Sequence, residues 1–176
     1  MKIFFVRHGK TNYNEKHLCN DDPTKKVYLT ELGLNQAKEV AEKLKGKKIE
    51  KIFISELPRT KQTAEIINKF HGVSIEVDPR INDRKTGFEG KPEEEFHRFI
   101  EKDLFGMHAP GGESFQDEKQ RIFSFLESLK KMPLENLLVV SHHETMKIII
   151  GFFENLTDEE MWHRRVSNCE VLEYLL

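Results

Sequence analysis

The stretch KIFFVRHGKTNYN, residues 2–14, joins a run of β-favouring apolar residues directly to arginine, histidine and glycine. Ile3 to Val6 are apolar without alternation, which reads as a strand buried on both faces. That strand ends on Arg7-His8-Gly9. A basic turn alone would account for the glycine, lysine and asparagines that follow, since loops collect these residues for conformational reasons. What the other strands end on decides whether Arg7 and His8 do more.

Working outward, strand-like runs and helical periodicities alternate to the C-terminus. TELGLNQAKEVAEKLKG (30–46) puts Leu34, Ala37, Val40, Ala41 and Leu44 on one helical face, with Thr30 as N-cap and Gly46 as the stop. KIFIS (51–55) is the next strand, followed by a helix starting near Pro58 that buries Ala64, Ile67 and Phe70, and by a short strand VSIEV (73–77). Residues 79–113 are broken by Gly and Pro around one helix near Glu93 to Lys102, an insertion that reads as a cap over a site. Phe96, Phe99, Ile100, Leu104 and Phe105 fit a small apolar face on that cap. A helix carrying Phe115, Ile122, Phe125, Leu126 and Leu129, the strand NLLVVS (136–141), a helix from about Glu144 and the strand-like CEVLEYL (169–175) complete the chain. This pattern predicts a single domain over 1–176, an α/β three-layer αβα sandwich with a mainly parallel central sheet and a small cap insertion.

Composition narrows the function classes. A net charge of −2 gives no global basic field for nucleic acid or an anionic membrane, so any anion recognition has to be local. Cys19 and Cys169 are far apart and in no metal-type spacing, which points away from a disulfide framework or zinc and toward a reducing cytosol. The apolar run after Lys2 is too short for a signal peptide, and Ile148 to Phe153 falls far below the ~20 residues of a membrane helix. A cytoplasmic location and a small-molecule partner are expected; the oligomeric state is open.

Ligands of open α/β sheets sit beyond the carboxyl ends of the strands. Arg7 and His8 stand at the first such end, Arg59 follows KIFIS just inside a helix opened by Pro58, and His142 follows NLLVVS. The loop INDRKTGFEG (81–90) adds Asp83 and Glu89 as candidate acids. Two imidazoles, two guanidiniums and a carboxyl group suit phosphoryl transfer through a covalent phosphohistidine. Neutral imidazole is nucleophilic near pH 7, arginine forks match phosphate oxygens, and a protonated carboxyl can protonate the departing alkoxide. The adjacent His142, His143 and Glu144 diverge rather than share a face, so no catalytic metal is expected.

RHGKT with Asn14 after it, SELPRTKQTA, INDRKTGFEG, PGGES and VVSHHETM resemble, in order and spacing, the histidine phosphatase superfamily in its phosphoglycerate-mutase-like branch. The resemblance implies His8 as nucleophile, with Arg7, Arg59 and His142 completing a phosphate pocket. It further implies that Asn14 binds the transferred group, that Thr11 orients the loop, and that no cofactor is needed. In the acid position the chain has Asp83 where many relatives carry Glu; either the loop sits closer or a water intervenes, and Glu89 is the alternative acid. Lys10 stands where Glu or Gln is common and adds charge near the pocket mouth. His143 replaces a common Gly and either narrows the pocket or points away. The cap from 84 to 112 holds five bases (Arg84, Lys85, Lys91, Arg98, Lys102) against six acids (Glu89, Glu93, Glu94, Glu95, Glu101, Asp103). So short and nearly neutral a cap favours a metal-independent phosphomonoesterase for a small phosphorylated metabolite. A phosphoglycerate mutase is the alternative enzyme, and a non-catalytic phosphate-binding domain the alternative of another class.

Overall fold

The computed structural model describes residues 1–176 and contains five strands and seven α-helices. The strands are β1 (Lys2–Arg7), β2 (Lys51–Ile54), β3 (Ile75–Val77), β4 (Asn136–Ser141) and β5 (Val171–Leu175). They form one sheet in the order β3-β2-β4-β1-β5, parallel except for β5, which runs antiparallel along β1. The helices are α1 (Asn12–Lys16), α2 (Glu31–Leu44), α3 (Pro58–Asn68), α4 (Glu93–Ile100), α5 (Phe115–Leu129), α6 (His143–Glu154) and α7 (Asp158–His163).

The unbroken apolar run of β1 follows from its central position. Side chains alternate between faces along a strand, and here both faces are covered. Ile3 and Phe5 pack with Phe115, Ile122, Phe125 and Ile149 of α5 and α6, while Phe4 and Val6 pack with Ala37, Val40, Ala64 and Ile67 of α2 and α3. The result is the three-layer sandwich with a mainly parallel sheet that the periodicity implied. Strands β1 and β4 are neighbours, yet the helices that follow them, α2 and α6, cover opposite faces. A crevice therefore opens between their carboxyl ends.

Several local expectations are corrected. Phe70 is 40% exposed, because α3 stops at Asn68 and the chain turns at Gly72 (φ 65°) before the helical phase can carry Phe70 inward. Its ring instead lies 4.6 Å from Lys45 Nζ. Gly46 adopts no left-handed cap; α2 ends through Lys45 in a right-handed conformation. In the cap, Phe96 and Ile100 are buried with Cys19, whereas Phe99 is exposed and Phe105 packs on the main core against Phe115. Helix α7 is an addition to the periodic pattern, and Thr157 and Glu160 form a capping box at its start, a signal legible in the sequence as TDEE.

Candidate active site

The register of the two central strands pairs Arg7 with Ser141, so the next residues, His8 and His142, leave the sheet side by side. Their ring centroids are 5.3 Å apart. Arg59 reaches them from the second residue of α3, whose first residue is Pro58 and whose fixed φ suits that position. The Arg59 guanidinium is buried, and its Nε–H is shared between His8 Nε2 (3.1 Å) and His142 Nδ1 (3.2 Å). Its Nη2 donates to Asp83 Oδ2 at 2.8 Å and to the Asn20 carbonyl at 3.1 Å, and Nη1 donates to Asn20 Oδ1.

These bonds assign the imidazole protons. His8 Nδ1 lies 2.8 Å from the Gly9 carbonyl, which can only accept, so Nδ1 carries the hydrogen and Nε2 faces the cleft with a lone pair. His142 Nδ1 accepts from Arg59, so its Nε2–H donates to Ser55 Oγ at 2.8 Å. Ser55 Oγ then donates to Thr60 Oγ1 at 2.9 Å, and Thr60 donates to the Leu57 carbonyl at 2.9 Å. Every proton in that chain has one direction. Burial, reinforced by Arg59, holds both imidazoles well below the ordinary histidine value, and Arg7 adds to the effect. Both rings are neutral at neutral pH.

Arg7 donates from Nη1 to the Val166 carbonyl at 2.6 Å, but its Nε is buried with no hydrogen-bond partner. A buried donor left open costs roughly 1–3 kcal/mol. Helix α6 begins at the same place, with His142 as an N-cap whose side chain does not cap it. An anion in the cleft would face the Arg7 side chain and meet the positive end of α6. Thr11 and Asn14 form a capping box on α1: the Asn14 backbone N–H donates to Thr11 Oγ1, and the Thr11 N–H to Asn14 Oδ1, both at 3.1 Å. With Oδ1 so engaged, the Asn14 amide N–H group is the part left for a ligand, and Asn14 lines the cleft. Thr11 is buried beneath that box.

Asp83 joins Arg59 and lies 3.6 Å from His142 Nδ1. Burial pushes its carboxyl above the usual aspartate value against the pull of Arg59, and Glu144 adds to the push. The loop therefore sits close enough for the shorter side chain to reach the histidines' arginine. Glu89 is held elsewhere: its carboxylate accepts from Asn20 Nδ2 and from the Asp21 and Asp22 backbone N–H groups at 2.8–3.1 Å. It anchors the loop that carries Asn20. His143 does face the cleft, its Nδ1 3.0 Å from the Val166 carbonyl. Lys10 does not line the cleft; its backbone N–H bonds Gln36 and its carbonyl accepts from Thr30.

The cleft measures about 640 Å³. Beyond the histidines its wall is made by Phe96, Leu104 and Trp162, with Lys147, His97 and Arg165 among them. Burial pushes the thiols of Cys19 and Cys169 up to about 12, which removes them as nucleophiles. No three His, Cys, Asp or Glu side chains group as a metal site, and no helix is long and apolar enough to cross a membrane.

A family model for the histidine phosphatase superfamily, branch 1, matches residues 3–175. The chain belongs to that superfamily. It is 30% identical over 183 residues to "Putative phosphoserine phosphatase 2" of Hydrogenobacter thermophilus, covering 98% of this chain and 88% of that one. It is 29% identical to "Probable phosphoglycerate mutase GpmB" of Yersinia pestis, covering 97% and 83%. Among solved structures, the α-ribazole phosphatase of Shigella flexneri superposes with a TM-score of 0.89 at 24% identity over 98% of this chain and 89% of that one, a likeness of fold. At the carboxyl end of this sheet Arg59 contacts His8, His142 and Asp83 together.

The residues that hold these four carry no signal in the sequence. Asn20 occupies the outer face of Arg59, and Ser55 orients His142. Asn168 donates to the His8 carbonyl at 3.0 Å, just before Cys169 takes a left-handed conformation (φ 58°) that starts β5. None sits in a periodic or motif position that would have singled it out.

Proposed function

We propose that the protein is a metal-independent phosphomonoesterase that hydrolyses a small phosphorylated metabolite through a covalent phosphohistidine on His8. The observation that supports this reading best is the single Arg59 N–H shared between two buried neutral imidazoles, with Asp83 on the same guanidinium. His8 Nε2 attacks phosphorus as the ester P–O bond breaks, and the Asp83 proton goes to the departing alkoxide oxygen. Arg7, Arg59, Asn14 and the α6 N-terminus hold the equatorial oxygens, whose charge they stabilise in the transition state. The Nδ1–H bond to Gly9 steadies the cationic phosphoimidazole. Water then attacks phosphorus, Asp83 takes its proton, and the N–P electron pair returns to Nε2.

An arriving phosphate competes for the Arg59 donors that Asp83 now uses and brings negative charge beside the carboxyl group. Both effects favour its protonated form. On the leaving-group side, Arg84 is paired with Glu118 and Glu144, and Lys147 with Glu144. Those pairs, with Phe96, Leu104 and Trp162 beside them, suit a small alcohol, and Arg165 is the cation on this wall without a carboxylate partner.

Brief incubation with phosphate-labelled substrate and an alkaline quench should trap label that acid releases, as a phosphoramidate requires. His8→Ala should lose both label and turnover, and phosphate release from a panel of phosphomonoesters should continue in EDTA. Full activity in His8→Ala would sink the mechanism. Rapid interconversion of 3- and 2-phosphoglycerate with little phosphate released would move the assignment to a mutase.

A further inference from the structure

The loop that presents Asp83 has an unusual backbone. Four successive carbonyls, those of Arg80, Ile81, Asn82 and Asp83, each accept a hydrogen bond from a side chain of a neighbouring element. Ser141 at the end of β4 holds Ile81 at 2.8 Å. Arg121 of α5 holds the other three: Nη1 donates to Arg80 at 2.8 Å and Asn82 at 2.9 Å, and Nη2 donates to Asp83 at 3.3 Å. Its remaining donors, Nε–H and the second Nη2–H, meet Glu113 Oε1 and Oε2 at 2.7 and 2.8 Å. A guanidinium has five N–H bonds, and all of them are spent on this one task. The side chain is 17% exposed, and Glu113, itself fixed to the Lys85 N–H at 3.1 Å, sets its plane.

We infer that Arg121 is the positioning residue that makes Asp83 an effective general acid, by clamping the acid loop against the sheet end. The inference rests on the reading of Asp83 as the acid. An aspartate has one methylene less than a glutamate with which to find the leaving oxygen, so its reach depends on where its own backbone stands. Arg121 fixes that backbone without lining the cleft and bonds none of His8, Arg59, His142 or the Asp83 carboxyl group. Lysine cannot replace it: an ammonium lacks the planar fork that serves three carbonyls and a carboxylate together. Thr145, which also donates to the Asn82 carbonyl at 3.2 Å, supports the loop from α6 without reaching its neighbours.

The test compares an alkyl phosphate, whose leaving group needs a proton, with p-nitrophenyl phosphate, whose leaving group does not. Phosphorylation of His8 is followed by rapid quench in wild type, Arg121→Lys, Glu113→Gln and Asp83→Asn. Arg121→Lys should slow phosphorylation by the alkyl phosphate roughly 10- to 100-fold, since small misplacement of a catalytic group costs that much, while p-nitrophenyl phosphate changes by less than about 3-fold. Glu113→Gln, which leaves Arg121 in place but loosens its plane, should show the same selectivity in smaller measure. Adding Asp83→Glu to Arg121→Lys should recover part of the alkyl rate, because a longer acid tolerates a displaced loop. Equal loss with both substrates, or no loss with either, overturns the role of Arg121, and where Arg121→Lys does not fold the Glu113→Gln result decides alone. If Asp83→Asn itself shows no selectivity, the acid assignment fails and the inference with it; selectivity in Asp83→Asn without it in the Arg121 and Glu113 variants rejects the clamp alone.

Discussion

Proton placement at single atoms sets the pH behaviour of this site. As the proposed nucleophile His8 has to be neutral, and burial beside Arg59 and Arg7 lowers its pKa, so the acidic fall in kcat/KM belongs below the ordinary histidine range near 6.5. As the proposed general acid Asp83 has to be protonated, and burial raises its pKa, so assistance is lost as pH rises through that raised value. Because kcat/KM reports steps up to the first irreversible one, only leaving groups that need a proton should feel the second limb. An alkyl phosphate should therefore show a falling alkaline limb, displaced upward from ordinary aspartate titration, while p-nitrophenyl phosphate stays flat over the same range. Measuring both profiles on one enzyme preparation checks this; a shared alkaline limb would assign it to a group other than Asp83.

Among the elements, the contact between α2 and the loop after β1 has the least tolerance. A Cβ on Gly33 would come within 2.8 Å of the Lys10 backbone nitrogen, and one on Gly9 within 2.5 Å of the Gly33 carbonyl oxygen. Both encounters are with backbone, which cannot rotate away. The helix start, capped by Thr30 Oγ1 on the Gly33 N–H at 3.2 Å, is thereby pressed against the loop that carries His8. Gly33→Ala should destabilise by about 1–3 kcal/mol, as overpacking does. It should lower phosphorylation by alkyl and p-nitrophenyl phosphates together, since the proposed nucleophile and not the proposed acid is displaced. Gly46→Ala, with nothing within 4 Å, serves as the neutral comparison in the same urea titrations and rate assays. A Gly33→Ala enzyme with wild-type midpoint and rates would show that the loop is held by something else.

For the whole molecule, buried ionisable groups pull stability in opposite directions with pH. His8 and His142 stay neutral in the folded chain below pH 6.5, where the unfolded chain protonates them, so their burial makes stability fall as pH falls. Glu118, fully buried behind Arg84 and pushed up to about 7, holds its proton in the folded chain above pH 4.5, where the unfolded chain releases it. Its burial makes stability fall as pH rises from about 4.5 toward 7. The difference between wild type and His8→Asn isolates one contribution from this mixture. Below pH 6.5 wild type should lose stability relative to the variant at up to about 1.4 kcal/mol per pH unit, the slope of one proton. Urea unfolding of both proteins between pH 7 and pH 5 gives the comparison, and parallel curves would mean that folded His8 titrates normally.

Arg7, His8, Arg59 and His142 were readable in one dimension because each is the covalent neighbour of a strand end or helix start, and local periodicity marks those ends without any partner. The same periodicity outlined the three layers, since β1 and β4 show no wet face and α2 and α5 show one apolar face each. It failed at Phe70, where a helix ended a turn early, and it passed over Glu118, a carboxylate on the buried face of α5. What only the tertiary structure decided is which elements stand beside which. That β4 lies between β2 and β1, so that His142 meets both Arg59 and His8, depends on crossovers across the whole sheet. The partners that fix the site, Asn20, Ser55, Arg121 and Asn168, act across separations of 38 to 160 residues. Sequence periodicity records what faces a core, and a polar side chain that reaches one particular carbonyl across the molecule leaves no period to read.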